Sequence, residues 1–306
     1  MNWKGVMPAI TTCFDRNYQV DHKFMAEHCQ WLIERGCTGI VPLGSLGEGS
    51  ALAYSEKLAI LETCARAVRG KVPVVAAISS LRTDEAVEIT KAAADKGCSG
   101  VMILPPYVYR GDWREMKAHI VAVLRATKLS AMLYNNPVAY GTDFLPEQIA
   151  ELASEFPTLH AVKESSTDVR RVTAIRALLA DRLAIFIGVD DAIVEGIALG
   201  AVGWIAGLAN ALPEESVDLF QSAMDGDSGR AFELYKWFLP LLRMDTVPKF
   251  VQLIKLVQEE AGMGNSRVRP PRLVLEGAEL NEAKVIIRRA LETRPHPREV
   301  QKAMRS

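Results

Sequence analysis

Short runs of Val, Ile and Leu recur through the first two thirds of the chain, separated by longer segments with apolar residues at helical spacing. This alternation is typical of strands that are each followed by a helix. The runs predict eight strands, the number that closes a parallel barrel. The predicted strands cover residues 5–12, 38–44, 72–78, 100–106, 129–135, 159–165, 183–189 and 202–207.

The segments between the strands favour helices. Residues 22–36, 55–69 and 84–97 are amphipathic, and the first and third end on glycines suited to close a helix, Gly36 and Gly97. Strands that are apolar almost throughout indicate a parallel sheet buried on both faces. We therefore predict an α/β fold, a TIM (β/α)8 barrel. The alternative, an open doubly wound sheet, favours a glycine fingerprint after the first strand, which this sequence lacks.

After residue 225 the strand pattern ends, and residues 229–242, 247–261 and 279–293 favour helices. The sequence thus predicts a catalytic barrel domain over residues 1–225 and a C-terminal helical domain over residues 226–306. Such a helical extension could cover the barrel or brace an oligomer interface.

Composition excludes several classes of protein. The net charge of -1 leaves no basic surplus for a nucleic-acid partner. The five cysteines form an odd set without a CxxC pair, and the five histidines show no paired metal spacing, so we expect reduced thiols and no metal site. Because the sequence shows neither a signal-peptide pattern nor a run of about 20 apolar residues, we expect a cytoplasmic protein without a membrane partner.

Lys163 is the first candidate for chemistry. In a barrel of this type, side chains at the carboxyl ends of the strands converge on one mouth, where barrel enzymes place their active sites. Alternation along the sixth predicted strand puts Lys163 on the face of Leu159 and Ala161, which predicts a partly buried amine. Burial disfavours the ammonium form and leaves an amine that can attack a carbonyl carbon. The alternative is a strand-end lysine whose charge reaches solvent.

Tyr134 shares the face of Ser130 and Met132, near the mouth end of the preceding strand. Imine formation needs one proton delivered and another removed, and a phenol one strand from the amine can do both. The alternative is a packed core aromatic.

The loop after the second predicted strand reads Gly44-Ser45-Leu46-Gly47-Glu48. Its glycines permit close backbone approach, and its amides and the Ser45 hydroxyl could bind a carboxylate; a glycine-shaped turn is the alternative. Asp190 and Asp191 follow the seventh predicted strand, where an N-cap for the next helix is the favoured interpretation over a role in the pocket.

Five motifs occur in order along the chain, each after a predicted strand: GSLGE at 44–48, PPY at 105–107, YNNP at 134–137, KES at 163–165 and GVDD at 188–191. In this combination the chain resembles the dihydrodipicolinate synthase and N-acetylneuraminate lyase family over essentially its whole length. The resemblance implies an enzyme in which Lys163 forms an imine with a small 2-oxo acid or its cyclic imine and Tyr134 is the catalytic tyrosine. It also implies a set of substrate-binding residues: Gly44, Ser45, Leu46, Gly188 and Ile205.

The same resemblance implies a homotetramer built as a dimer of tight dimers, with Tyr107 near the subunit boundary. It implies neither a metal nor an organic cofactor, because the covalent imine on Lys163 carries the chemistry. Dihydrodipicolinate synthases have a second hydroxyl residue where this chain has Leu46 and a relay tyrosine where it has Val108. The arginine expected after YNxP is also absent, since residues 138–141 read VAYG, so lysine biosynthesis is disfavoured.

Within the family, the spellings GSLGE, YNNPVAYG and GVDDA resemble bacterial enzymes of hydroxyproline breakdown that deaminate 1-pyrroline-4-hydroxy-2-carboxylate. An apolar Leu46 and Val108 also suit a short substrate with few hydroxyls. The sequence therefore predicts a lyase that releases ammonia and 2,5-dioxopentanoate. Two alternatives stay open: a class I aldolase that releases pyruvate from 4-hydroxy-2-oxoglutarate or a 2-keto-3-deoxy sugar acid, and a non-catalytic protein that binds a 2-oxo acid.

Overall fold

The computed structural model describes residues 1–107, 109–296 and 298. Val108 and the end of the predicted helical domain lie outside the described residues, so the predicted apolar contribution of Val108 to the pocket stays a prediction.

Parallel strands form the centre of the molecule, and those assigned to one sheet number seven within the described part of the chain. They are β1 (Gly5–Pro8), β2 (Val75–Ile78), β3 (Gly100–Ile103), β4 (Ser130–Asn135), β5 (Leu159–Glu164), β6 (Ala184–Ile187) and β7 (Gly203–Ala206). Neighbours along the chain pair in parallel from β2 to β7, and β1 pairs with β7. The strands are almost wholly buried, as a sheet covered on both faces requires.

The segment predicted as the second strand closes the barrel without forming a regular strand. It lies between β1 and β2 and makes single parallel bridges, Ala9 with Val41 and Ile40 with Val74. Pro42 explains the interruption, because it has no N–H to donate, although its carbonyl accepts from Ala77. The TIM barrel prediction is thus confirmed, with one of its eight strands reduced to bridges.

Helices surround the barrel: α1 (His22–Glu34), α2 (Tyr54–Val68), α3 (Thr83–Asp95), α4 (Trp113–Arg125), α5 (Pro137–Tyr140), α6 (Pro146–Glu155), α7 (Arg170–Leu179), α8 (Ile193–Ala198), α9 (Pro213–Met224), α10 (Ser228–Leu242), α11 (Phe250–Glu260) and α12 (Gly277–Glu292). Gly36 and Gly97 follow the ends of α1 and α3 with φ of 91° and 84°, conformations that glycine adopts without steric cost. None of the described helices is both long and apolar enough to cross a membrane.

The three C-terminal helices occur where the sequence predicted them, and part of this segment folds back over the barrel. From α11, Gln258 accepts a hydrogen bond at 2.8 Å from Thr11, which follows β1. The segment after α11 is fixed to the same region, since Arg267 Nε donates to the Phe14 carbonyl at 3.0 Å. Covering the barrel is therefore one function of the extension, while its division into a separate domain stays a prediction.

Candidate active site

Lys163 and Tyr134 lie side by side at the mouth end of β5 and β4, where they are register partners. Both side chains are buried, Lys163 with 6% and Tyr134 with 5% of the residue surface exposed. Lys163 Nζ lies 4.1 Å from the centroid of the Tyr134 ring. The alternation argument thus placed both side chains correctly, and the lysine does not extend into solvent.

Gly188 makes the position of Lys163 possible. A Cβ at Gly188, just beyond β6, would lie 2.2 Å from Lys163 Cε and 2.1 Å from Ser165 Oγ, far inside van der Waals contact. The glycine therefore lies directly beneath the lysine side chain. Ser165 Oγ is buried and has no hydrogen-bond partner within the described part of the chain.

The YNNP motif orients Tyr134. Asn136 is the N-cap of α5, where its side chain accepts a hydrogen bond from Ala139 N, and its amide nitrogen donates to Tyr134 Oη at 3.0 Å. Pro137 occupies the first turn of α5, where a missing N–H costs nothing. Asn135 points to the other side of the strand and links β4 to β5 by donating to Glu164 at 3.0 Å.

Tyr140 supplies a hydroxyl that the sequence analysis did not assign to the site. At the end of α5, its hydroxyl is hydrogen-bonded to Ser45 Oγ, and its ring packs edge-on against Tyr134 with centroids 5.6 Å apart. Burial raises the pKa of Tyr140 above its ordinary value, and the neighbouring Tyr134 raises it further, so the phenol stays protonated. Ser45, Tyr140 and Tyr134 thus bring three hydroxyls close together, although Leu46 and Val108 stand where dihydrodipicolinate synthases have hydroxyl residues. Tyr107, predicted near a subunit boundary, lies against Tyr140 at 5.7 Å between ring centroids.

The loop from Gly44 to Glu48 presents backbone donors toward the mouth. The N–H groups of Ser45 and Leu46 reach no acceptor among the described residues, and the Leu46 side chain is buried at 4% exposure. A Cβ at Gly49, the next residue, would lie 2.1 Å from the carbonyl oxygen of Leu43, so the loop can close only around glycine. The geometry suits a bound carboxylate, because adjacent free amides attract anions.

Helix α11 is connected to this loop by an ion pair between Lys255 and Glu48. Glu48 has a left-handed backbone (φ 53°), and its carboxylate is fully buried 2.6 Å from Lys255 Nζ. Lys255 also donates to the carbonyl of Arg267 at 2.6 Å, and the backbone N–H of Arg269 donates to Glu48 at 2.9 Å. Desolvation lowers the pKa of Lys255 and the Glu48 charge opposes this, so the ion pair is maintained by close contact.

Asp190 and Asp191 do not act as N-caps, and the interpretation preferred from the sequence is wrong. The Asp190 carboxylate instead accepts hydrogen bonds from Trp204 Nε1 at 2.9 Å and from the backbone N–H of Leu208 at 2.7 Å. Neither Asp190 nor Asp191 provides a side-chain cap to the helical turns that follow them. Asp245, from the turn after α10, accepts a long hydrogen bond of 3.4 Å from Asp190 N, which brings a second carboxyl to this edge of the mouth.

Ile205 is buried near the end of β7, where it pairs with Met7 of β1. The structure thus brings Lys163, Tyr134, Gly188 and the loop with Ser45 to one end of the barrel, while the contact of Ile205 with a substrate stays a prediction. Within the described residues, no group of His, Cys, Asp and Glu side chains could hold a metal ion.

A parallel barrel with a buried lysine and a tyrosine at its mouth defines the class of barrel enzymes that react through a lysine amine. The model of the Dihydrodipicolinate synthetase family matches residues 2–290. The chain is 33% identical to the 4-hydroxy-tetrahydrodipicolinate synthase of Methanopyrus kandleri over 88% of this chain and 90% of that protein. It is 32% identical to the enzyme of the same name from Methanothrix thermoacetophila over 92% and 95%, respectively. The chain belongs to the dihydrodipicolinate synthetase family, whose members are Schiff-base lyases of the aldolase type.

Solved structures agree with this family. The 4-hydroxy-tetrahydrodipicolinate synthase of Methylacidiphilum fumariolicum SolV superposes with a TM-score of 0.91 at 27% identity, over 95% of this chain and 97% of that one. A prophage protein of the family from E. coli K12, solved in complex with pyruvate, gives a TM-score of 0.89 at 25% identity, over 94% and 99%. This chain is therefore a lyase-type enzyme with a small-molecule substrate.

Proposed function

We propose that this enzyme deaminates 1-pyrroline-4-hydroxy-2-carboxylate to 2,5-dioxopentanoate and ammonia, with Lys163 as the imine-forming amine. The observation that carries the proposal is the pair of carboxyls, Asp190 and Asp245, which lie together beside Gly207 and whose pKa values burial raises while the charge of Lys163 opposes this rise. An acidic pair beside the amine disfavours a substrate with a second carboxylate and favours one with a cationic ring nitrogen. The cyclic imine has one carboxylate, one protonatable nitrogen and one hydroxyl.

The free backbone amides of Ser45 and Leu46, together with the Ser45 hydroxyl, would bind the single carboxylate. Because Glu48 is anchored by Lys255, these donors are held in place before the substrate arrives, which lowers the entropic cost of binding. The buried Leu46 leaves little room for further hydroxyls, so a five-membered ring suits the pocket better than a sugar acid.

The reaction would begin with addition of Lys163 Nζ to C2 of the ring imine. Cleavage of the bond between C2 and the ring nitrogen opens the ring and leaves an amino group on C5 and an iminium on Lys163. Tyr134 would take part in removal of a proton from C3, which gives an enamine that expels the 4-hydroxyl as water. Loss of a proton from C5 and gain of one at C3 then convert the allylic amine to an enamine, and a proton shift from its nitrogen to C4 gives an imine at C5. Hydrolysis of the imine at C2 and of this imine at C5 uses two waters and releases 2,5-dioxopentanoate and ammonia, so the overall reaction consumes one water.

The test is mass spectrometry after borohydride treatment with pyruvate and, separately, with the pyrroline, combined with an ammonia assay. We expect an adduct on Lys163 with both compounds and ammonia from the pyrroline alone. The Lys163→Ala variant should form neither adduct. Full activity of Lys163→Ala would refute the assignment of Lys163. A wild-type protein that binds 2-oxo acids but forms no adduct and shows no turnover would be a binding protein and not an enzyme.

A second candidate function is synthesis of 4-hydroxy-tetrahydrodipicolinate or aldol cleavage, because the relatives bear the name of that synthase. Condensation with aspartate semialdehyde and cleavage of 4-hydroxy-2-oxoglutarate both handle a distal carboxylate, and the exposed Arg110, which lies beside Gly141, is the candidate to bind it. A Cβ at Gly141, beside Tyr140, would lie 2.7 Å from Arg110 Nε. If the deaminase proposal holds, Arg110→Ala should leave ammonia release within about threefold, since the pyrroline has no distal carboxylate. The second candidate would be favoured if the wild type releases pyruvate from 4-hydroxy-2-oxoglutarate, or condenses pyruvate with aspartate semialdehyde, and if Arg110→Ala abolishes that activity.

We also propose a cytoplasmic homotetramer that needs no metal or organic cofactor. Light scattering should give the mass of four chains, and activity should survive dialysis against a chelator. A monomer with full activity would remove the subunit boundary predicted at Tyr107.

A further inference from the structure

Asp190 has a structural role, because its hydrogen bonds are made within the protein. Its carboxylate is fully buried and accepts four hydrogen bonds, from Trp204 Nε1, twice from Gly207 N, and from Leu208 N. These contacts tie the turn after β6 to the turn after β7. Asp190 is therefore held in place and has no capacity left for a ligand.

Asp245, unlike Asp190, makes few contacts with the rest of the described protein. It is only partly buried, and within the described part of the chain its one hydrogen-bond donor is Asp190 N, at a long 3.4 Å. No described Lys, Arg or His nitrogen lies within 4.0 Å of its carboxylate; the nearby Arg243 approaches Asp191 instead, at 3.8 Å. A carboxyl with so few protein contacts at the mouth of a barrel is available to a ligand.

The two carboxyls approach each other and the catalytic amine. A Cβ at Gly207 would lie 2.8 Å from Asp245 Oδ1 and 3.2 Å from Asp190 Oδ2, so both acids flank the same glycine. Lys163 makes no ion pair within 4.0 Å among the described residues, although its charge acts on both acids. The amine and Asp245 thus influence each other's charge without forming an ion pair.

An independent observation also indicates a polar ligand at this end of the barrel. Ser165 Oγ is 99% shielded from solvent, has no described hydrogen-bond partner and lies beside Lys163 above Gly188. A buried hydroxyl without a partner is costly and is explained when a substrate supplies the missing hydrogen bond.

The pKa values of both carboxyls are raised. Burial raises the pKa of both carboxyls, and the proximity of Asp190 raises that of Asp245 further, as does the more distant Asp191. The positive charge of Lys163 acts in the opposite direction on both. Two coupled, desolvated acids do not both ionise readily, so this pair is suited to donate a proton during the reaction.

We propose that Asp245 is a further catalytic residue that donates the proton with which the 4-hydroxyl leaves; this inference rests on the proposed deamination. In that step the bond between C4 and its oxygen breaks, the oxygen keeps the electron pair and takes the Asp245 proton, and water departs. The enamine electrons form a double bond between C3 and C4, and the iminium on Lys163 is restored. The proton lost earlier from C3 replaces the one that Asp245 gives up, so no other reactant is needed.

The experiment compares Asp245→Asn with the matched control Asp191→Asn, which alters a neighbouring acid that has no such proximity to Lys163. Each protein is tested for borohydride trapping of pyruvate and for ammonia release from the pyrroline between pH 5 and 9. We expect Asp245→Asn to trap pyruvate as the wild type does, and to lose ammonia release by about 10²- to 10⁴-fold. It should accumulate a pyrroline adduct that still carries the hydroxyl. The control should stay within about threefold on both measurements.

The pH profile separates a proton donor from a merely structural residue. The rate with the wild type should fall at high pH as the acid pair loses its proton, and the residual rate of Asp245→Asn should lack this alkaline limb. Asp245→Glu should recover part of the ammonia release, because it restores a carboxyl.

If the wild type releases ammonia, two results would overturn the inference about Asp245 alone. One is ammonia release by Asp245→Asn within about threefold of the wild type. The other is loss of pyruvate trapping by that variant, which would show that Asp245 has a structural role. A wild type that traps pyruvate but releases no ammonia from the pyrroline overturns the proposed function and, with it, this inference.

Discussion

The buried ion pair between Glu48 and Lys255 should be essential for both stability and substrate binding. The two charged groups lie 2.6 Å apart and are 0% and 1% exposed. At an effective dielectric constant near 20, their attraction is about 6 kcal/mol before the cost of removing both from water is subtracted. Replacing Lys255 with Met leaves the Glu48 carboxylate buried, and among the described residues its one remaining partner is the Arg269 N–H at 2.9 Å.

We expect Lys255→Met to lower the free energy of unfolding by about 3–5 kcal/mol, because an uncompensated buried charge is left behind. The double variant Glu48→Gln with Lys255→Met should lose much less, since the Gln oxygen can still accept from Arg269 N and no charge is buried. The matched control is Lys249→Met, which breaks an exposed ion pair with Glu279 and should change stability by less than about 1 kcal/mol.

Urea unfolding of the wild type, Glu48→Gln, Lys255→Met, the double variant and the Lys249→Met control measures these differences, and the first four proteins form a double-mutant cycle that gives the coupling energy. Loss of the ion pair should also loosen the loop at Ser45 and raise the pyruvate concentration needed for half-maximal borohydride trapping. If Lys255→Met costs no more than the exposed control, or if the two single losses simply add, the ion pair does not hold the loop.

Three further predictions follow from single side chains. Gly188→Ala should abolish pyruvate trapping on Lys163, because the added Cβ would lie 2.2 Å from Lys163 Cε, whereas Gly229→Ala, whose Cβ meets nothing closer than 3.8 Å, should trap normally. Ser165→Ala should leave the urea midpoint unchanged or higher, since the hydroxyl has no described partner, but should weaken pyrroline turnover; a fall in stability would contradict this. Burial lowers the pKa of His28 to about 4, so the unfolded state binds more protons between about pH 6.5 and 4, and stability should fall by up to about 1.4 kcal/mol per pH unit as the pH drops through this range. Urea unfolding of His28→Gln should lack this dependence, and a wild-type protein equally stable at pH 4.5 and 6.5 would refute it.

The barrel and its two central site residues could be predicted because the evidence for them is local. Period-two alternation fixed the inward direction of Tyr134 and Lys163, and parallel pairing of consecutive strands then placed them side by side. The interrupted strand near Pro42 also had a local signal, since proline cannot donate within a central strand. Pro42 therefore made this interruption predictable from the sequence.

The remaining features of the site depend on contacts between distant parts of the chain. Glu48 and Lys255 are 207 residues apart, and the sequence pattern of α11 shows a lysine among apolar residues without showing its partner. The local sequence around Asp190 fits an N-cap. The barrel, however, brings the backbone N–H groups of Gly207 and Leu208 close to its carboxylate, and they donate hydrogen bonds to it. In the sequence, Tyr140 stood out only as part of the segment that lacks the expected arginine. Its contact with Ser45 could not be predicted, because it forms only when the barrel is closed.

The predicted domain boundary at residue 225 therefore does not separate catalytic from structural parts. The strands supply Lys163 and Tyr134, whereas residues beyond the boundary supply Asp245, which accepts a hydrogen bond from Asp190 N, and Lys255, which is paired with Glu48 of the loop from Gly44 to Glu48. Under the proposed mechanism, these C-terminal residues act on different parts of a bound substrate, Asp245 on its leaving group and Lys255, through the loop, on its carboxylate. It follows that differences in substrate among proteins sharing this barrel can arise in the C-terminal segment, and that exchanging residues 243–258 with those of a relative should change the substrate while leaving imine formation on Lys163 intact.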